Sequence, residues 1–290
     1  MAISIGVVTP AGTTTAFGRG GNGTVTVTLP TSWAAGQLAI LLVYLDQGTC
    51  SVTTPASGWT EVTGSPWGSN TPKLRAFYRF LQAGDGNPVI TTAGSSGTLE
   101  TVAAIATFNG VNTGTPIEVV GTASAGTGTP ITAGTIDTLT NYAWVLGLCG
   151  RGDNEAFSTE TFGGSATGVS ERLDAGEQAG GDDGQVCIYS KEIASYGATG
   201  NGSAASSVTD PWVSVLIALK PAVAPTVTTQ AVDTIAEETA TGHGNVTADG
   251  GSPVTERGVC WKTSTGPTTA DSKATSGTGT GAFAPAMTGL

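Results

Sequence analysis

Gln37-Leu-Ala-Ile-Leu-Leu-Val-Tyr-Leu-Asp46 is the most continuously apolar stretch of the chain. At Leu38–Leu45 it falls far short of the ~20 residues a membrane-crossing helix needs. A short unbroken apolar run of this kind reads as a strand covered on both faces, central in a sandwich. Outward from it the pattern turns to period-2 alternation. Thr24–Leu29 alternates Thr with Val or Leu, and Lys73–Leu81, Val89–Thr92 and Thr101–Phe108 follow. Turn-rich pieces such as Gly84-Asp85-Gly86-Asn87 separate them. Gly121–Gly134 reads as a Gly/Thr-rich loop, after which Tyr142–Leu148, Gly168–Leu173, Gln185–Ile193 and Trp212–Leu219 resume the strands. No segment carries a helical period. The fold expected is all-β: a jelly-roll-like two-sheet β-sandwich of ten to twelve strands over 1–220, followed by a partial immunoglobulin-like β-sandwich.

The features recur in order. Leu38–Leu45, a strand from Gly58-Trp-Thr-Glu-Val62, Leu74–Phe80 and Thr101–Phe108 are answered by Tyr142–Leu148, Gly168-Val-Ser-Glu-Arg172, Val186–Tyr189 and Trp212–Leu219. One shared offset sets Tyr78 opposite Tyr189 and Ile105 opposite Leu216. Identity is weak, so duplication and plain strand periodicity both remain open at this level.

Composition narrows the function. Charged residues make up 11% of 290, under half the usual share of about 25%, which suits Thr/Ser-faced strands better than wet helices. Eleven basic against 22 acidic residues give a net charge of −11, which repels phosphate backbones and argues against nucleic acid as a partner. No membrane insertion is expected. Cys50, Cys149, Cys187 and Cys260 are scattered and His243 is the single histidine, so neither a metal site nor a cofactor is indicated. Cys149 and Cys187 read as reduced buried thiols, with a disulfide between them as the alternative.

Lys220-Pro-Ala-Val-Ala-Pro225 reads as a semi-rigid spacer, giving domains at 1–220 and 226–290 around a linker at 221–225. Past it, Asp249-Gly-Gly251 and Thr255-Glu-Arg-Gly-Val259 resemble immunoglobulin-like, fibronectin type III-related modules of bacterial surface and phage virion proteins. That resemblance implies seven strands in ~100 residues, whereas about 66 run from Pro225 to Leu290. The expectation is a module completed by further chain or by another subunit.

Catalysis finds little support. The first 220 residues hold no histidine, so no Ser-His-Asp or Cys-His arrangement is available there. Spacing sets Glu155 and Glu160 on opposite strand faces, and Glu171 and Asp174 likewise. Asp182-Asp183 reads as a solvated turn, and Arg151-Gly-Asp153 as a glycine turn after a strand. Aromatic side chains offer the remaining route, because sugars stack on exposed rings. Trp67, in Ser65-Pro-Trp-Gly-Ser69, and Trp33, in Pro30-Thr-Ser-Trp-Ala34, are the candidate glycan platform; Trp59, Trp144, Trp212 and Trp261 read as core.

Pro55-Ala-Ser-Gly-Trp-Thr-Glu-Val62, Leu74-Arg-Ala-Phe-Tyr-Arg79 and Ala103-Ala-Ile-Ala-Thr-Phe-Asn-Gly-Val111 resemble phage virion and bacterial surface proteins. The likeness implies a non-enzymatic bacteriophage virion structural protein, a decoration or fibre protein of head or tail. Its expected partners are other virion proteins of capsid or tail, copies of itself in a homo-oligomer such as a trimer, and a host-surface glycan. Met1–Gly12 has neither a basic start nor a long apolar segment. The expected location is therefore the virion surface, after synthesis in the host cytoplasm. The alternative is a non-catalytic carbohydrate-binding or adhesin module of a secreted bacterial protein.

Overall fold

The computed structural model describes residues 14–19, 22–45, 51–55, 58–68, 72–93, 100–153, 155–177, 184–207 and 209–290. Met1–Gly12, Cys50 and Asp182–Asp183 lie outside them. All regular structure in the described residues is β. The described residues divide into two compact units, one built from 14–111 and Thr115–Pro221, the other from Asn112–Gly114 and Ala222–Leu290.

The larger unit opens with eight strands: β1 (Thr14–Arg19), β2 (Asn22–Thr26), β3 (Leu38–Leu45), β4 (Ser51–Val52), β5 (Thr60–Glu61), β6 (Lys73–Phe80), β7 (Val89–Ala93) and β8 (Glu100–Phe108). They form a five-stranded antiparallel sheet, β1-β8-β3-β6-β5, and a three-stranded one, β2-β7-β4. The second half supplies β9 (Ile117–Val120), β10 (Ser124–Thr127), β11 (Ile131–Ala133), β12 (Asp137–Thr138), β13 (Ala143–Arg151) and β14 (Ser158–Phe162). It continues with β15 (Ser170–Glu177), β16 (Gly184–Ile193), β17 (Gly197–Ala198), β18 (Gly202–Ala205) and β19 (Pro211–Leu219). Its large sheet runs β10-β19-β13-β16-β15, with β9 also on β19; its small sheet runs β11-β18-β14; β12 and β17 pair by themselves.

The two halves share one pairing order, strand for strand, with β3, β5, β6 and β8 answered by β13, β15, β16 and β19. Register makes the equivalence residue by residue. Leu41 lies between Phe77 and Ile105, and Gly147 lies between Tyr189 and Leu216. Ile105 therefore answers Leu216 as the sequence suggests. Tyr189, however, answers Phe77 and not Tyr78. The one-residue slip matters because neighbours on a strand face opposite ways.

Alternation sorts these side chains into three buried layers. Leu38, Ile40, Leu42 and Tyr44 meet Leu146, Leu148, Ile188 and Val215 between the two large sheets. Ala39, Leu41, Val43 and Leu45 meet Val25, Val52 and Ile90 of the first small sheet. Val145, Cys149, Cys187 and Leu216 meet Ile131, Phe162 and Ala204 of the second. The stack is four sheets deep, which is why every residue of β3 is buried. Each fully covered Leu, Ile or Val contributes roughly 1.5–3 kcal/mol.

Two expectations change. A single two-sheet sandwich becomes two, joined by their large sheets. The Gly121–Gly134 loop instead carries β10 and β11, whose Ser, Thr and Gly content hides the strand signal. Gly126 serves there as a seat for the Trp212 ring, which lies 2.9 Å from where a Cβ would stand.

The smaller unit holds β20 (Thr226–Asp233), β21 (Thr239–Ala248), β22 (Gly258–Trp261), β23 (Ser272–Thr275), β24 (Gly281–Phe283) and β25 (Ala286–Thr288). β21 carries β20 on one edge and β24 and β25 on the other, while β22 pairs with β23. Ala240, Val246, Phe283 and Met287 form its thin interior, and β20 is exposed along its whole length.

Candidate functional site

Trp67 is not on the surface. Its N–H donates to the Leu74 carbonyl (2.8 Å) and its carbonyl accepts the Leu74 N–H (3.0 Å), so the loop is stitched to the start of β6. That stitch turns the indole into the layer between the large sheets, where it is 5% exposed. The Ser-Pro-Trp-Gly-Ser setting suggested exposure, and backbone pairing overrides it. Trp33 is half-buried and packs against the first half's inner layer, in a loop whose Gly36 N–H donates to Leu81 O at 2.8 Å. The two do not form one platform.

Trp59, which reads as core, stands half-buried beside a concavity of about 220 Å³ lined by Arg79, Leu81, Asp85, Asn87 and Val89. Arg79 grips Asp85 with two bonds, Nε to Oδ2 at 2.9 Å and Nη2 to Oδ1 at 2.5 Å. Asp85 also accepts the Gln82 N–H at 2.9 Å. The Arg79 guanidinium holds the Asp85 carboxyl below the usual carboxylate range. Asn87 Oδ1 accepts the Leu29 N–H at 2.9 Å. In sequence these residues look like a turn after a strand; only β5 pairing beside β6 brings Trp59 to them.

A second constellation lies inside the second half. Where the first half sets Leu45, Val43 and Ala103, the equivalent positions carry Arg151, Cys149 and Ser214. Arg151 closes β13 and is 1% exposed, and the chain bends directly after it at Gly152 and Asp153, as the sequence suggests. Its guanidinium lies over the Phe157 ring, 4.9 Å from the centroid, and none of its nitrogens has a hydrogen-bond partner among the described residues. Glu160 Oε1, Gln185 Oε1 and Trp212 Nε1 are likewise buried and unpartnered. Burial weakens the hold of Arg151 on its proton.

A bulge between Glu171 and Leu173 corrects the expected placement of the carboxylates. Glu171 lies opposite Tyr189 and Asp174 opposite Cys187, so both point to the layer shared with Glu160 instead of to opposite faces. Burial raises Glu171, with the Asp174 and Glu160 charges adding to it. In the first half Glu61 answers Glu171 and is held by Arg75 at 2.6 Å; the position of Arg75 is taken by Cys187 in the second, removing that cation. Burial also raises Asp174, against the hydrogen bonds it accepts from Gln185 and, at 2.9 Å, from the Phe157 N–H.

Raised carboxyls on one face are what acid–base chemistry requires. Both oxygens of Asp174 are nevertheless already engaged, which fits a fixed structural group better than a proton carrier. Cys149 and Cys187 sit directly opposite one another as free thiols. Burial pushes Cys149 up to about 12, against a hydrogen-bonding contact with Ser214 at 3.1 Å, and raises Cys187 as well. Such thiols are poor nucleophiles.

The smaller unit has its own concavity, of about 570 Å³, lined by Val227, Val246, Val259, Ala274 and Phe283 with Arg257 at its wall. Arg257 is occupied by the Ser276, Thr280 and Gly281 carbonyls. His243, on β21, lies 3.0 Å from Asp233. Comparison with protein-family models, with curated proteins and with solved structures found no match.

Proposed function

We propose that this chain is a structural protein of a bacteriophage virion, displayed on the particle surface as a decoration or fibre protein of head or tail. The observation that carries the reading is the double sandwich of two halves with one strand order, whose large sheets bury apolar layers against each other and against the small sheets among the described residues. Its strand order, β1-β8-β3-β6 facing β2-β7-β4 and repeated, supports a jelly-roll-like reading of each half. The smaller unit is read as an immunoglobulin-like module. The net charge of −11 suits a projecting, soluble surface. In this reading the protein is not an enzyme, its partners are capsid or tail proteins, and it assembles with copies of itself, as a trimer on a fibre.

Mass spectrometry of purified particles tests it. Peptides of this chain should remain in fixed proportion to the capsid protein through successive gradients. Recovery only from particle-free medium would overturn it. That outcome would favour the second reading, a carbohydrate-binding or adhesin module, which the Trp59 concavity supports.

A further inference from the structure

We propose that the concavity beside Trp59 is a subsite for one neutral pyranose unit of a glycan. It deepens the surface-protein reading above by naming a ligand and the residues that take it.

Size sets the first limit. Pockets for drug-sized ligands begin at roughly 300 Å³; this one, at about 220 Å³, holds a single ring. Charge sets the second. Arg79 and Asp85 are locked together and cancel, so an anion meets Asp85 and a cation meets Arg79 with no net gain. An apolar guest would strand the ion pair and the Asn87 amide away from water, at the cost of their hydration. What remains is a neutral molecule with an apolar face and a polar rim.

The walls supply the complement of each. Trp59 offers an aromatic face, and its packing against the inner layer of the first half holds the ring before any ligand arrives. Asn87 spends its oxygen on Leu29, leaving the Nδ2 hydrogens without a protein partner among the described residues. An ionised carboxylate has about four acceptor sites, and the Asp85 oxygens use only part of them on Arg79 and Gln82. An amide donor and a carboxylate acceptor around an aromatic wall match the ring face and vicinal hydroxyls of a pyranose.

The test is a titration of the whole chain with methyl α-D-glucopyranoside, methyl α-D-galactopyranoside, N-acetyl-D-glucosamine and L-rhamnose, followed by ¹H–¹⁵N correlation spectra. At least one sugar should move the Trp59 indole and Asn87 amide signals saturably, with millimolar affinity. Trp59→Phe, which keeps the core packing, should weaken it about tenfold, and Asn87→Ala several-fold. Trp261→Phe, in the other unit, should leave it unchanged. Absence of saturable movement with all four sugars, or undiminished binding in a folded Trp59→Phe variant, overturns the proposal. Particle mass spectrometry reads the virion assignment separately, so either can fail alone.

Discussion

Arg151 and Leu45 answer each other across the repeat, yet one is a buried cation whose guanidinium makes no hydrogen bond among the described residues and the other an ordinary aliphatic. The Phe157 ring and the charges of Asp153 and Asp174 offset only part of the cost of burying that guanidinium, and an apolar residue of similar size avoids the cost. Arg151→Met should therefore raise the midpoint of thermal unfolding. A fall would mean that its attraction to Asp153 and Asp174 outweighs the cost of burying it. Gly147 gives the opposite case. The Tyr189 ring covers the place where its Cβ would stand, whereas the first half sets Leu41 beside Phe77. Gly147→Ala should cost on the order of 1–3 kcal/mol in urea unfolding, because the fully buried ring, packed on Phe162, must shift to admit a methyl group.

At the scale of the element, the β15 bulge couples stability to pH. Glu171 and Asp174 are raised in the folded chain, so the native state holds protons that the unfolded state releases. Their contribution is complete below the ordinary carboxylate range, about 4, and is lost as pH rises through their higher folded values. Asp85 is lowered and acts in reverse: its contribution is present above that range and vanishes as pH falls. Thermal midpoints should thus rise as pH drops from neutrality into mild acid, then fall in stronger acid; Asp174→Asn should flatten the rise. Labelling with a thiol reagent and peptide mapping should find Cys260 modified in the folded protein, and Cys149 and Cys187 only after denaturation. Strands such as β3, β6, β13 and β19 were legible in sequence because apolar runs announce themselves. β10 and β11 were not, since Gly and Thr serve strands and loops alike. The bulge leaves no periodic trace, and with it the convergence of Glu160, Glu171 and Asp174 stayed hidden. Trp67 lies buried for a related reason: exposure of a loop aromatic depends on which strand its backbone joins.

Across the larger unit, one strand order is filled with two different interiors. Between its sheets the first half sets an apolar layer flanked by the Arg75–Glu61 pair, while the second sets Arg151, two thiols and carboxylates that make no salt bridge among the described residues. Pairings such as β3 with β8 span long stretches of chain, so refolding should run in the millisecond-to-second range followed by stopped-flow fluorescence. The layer between the large sheets belongs to neither half alone. A protease site placed at 112–114 should leave a cut chain whose halves still co-elute on size exclusion until denaturant is added. The seam thus has the physical character of a subunit boundary bridged by peptide bonds: a dimer in all but connectivity, whose two partners need not carry the same side chains.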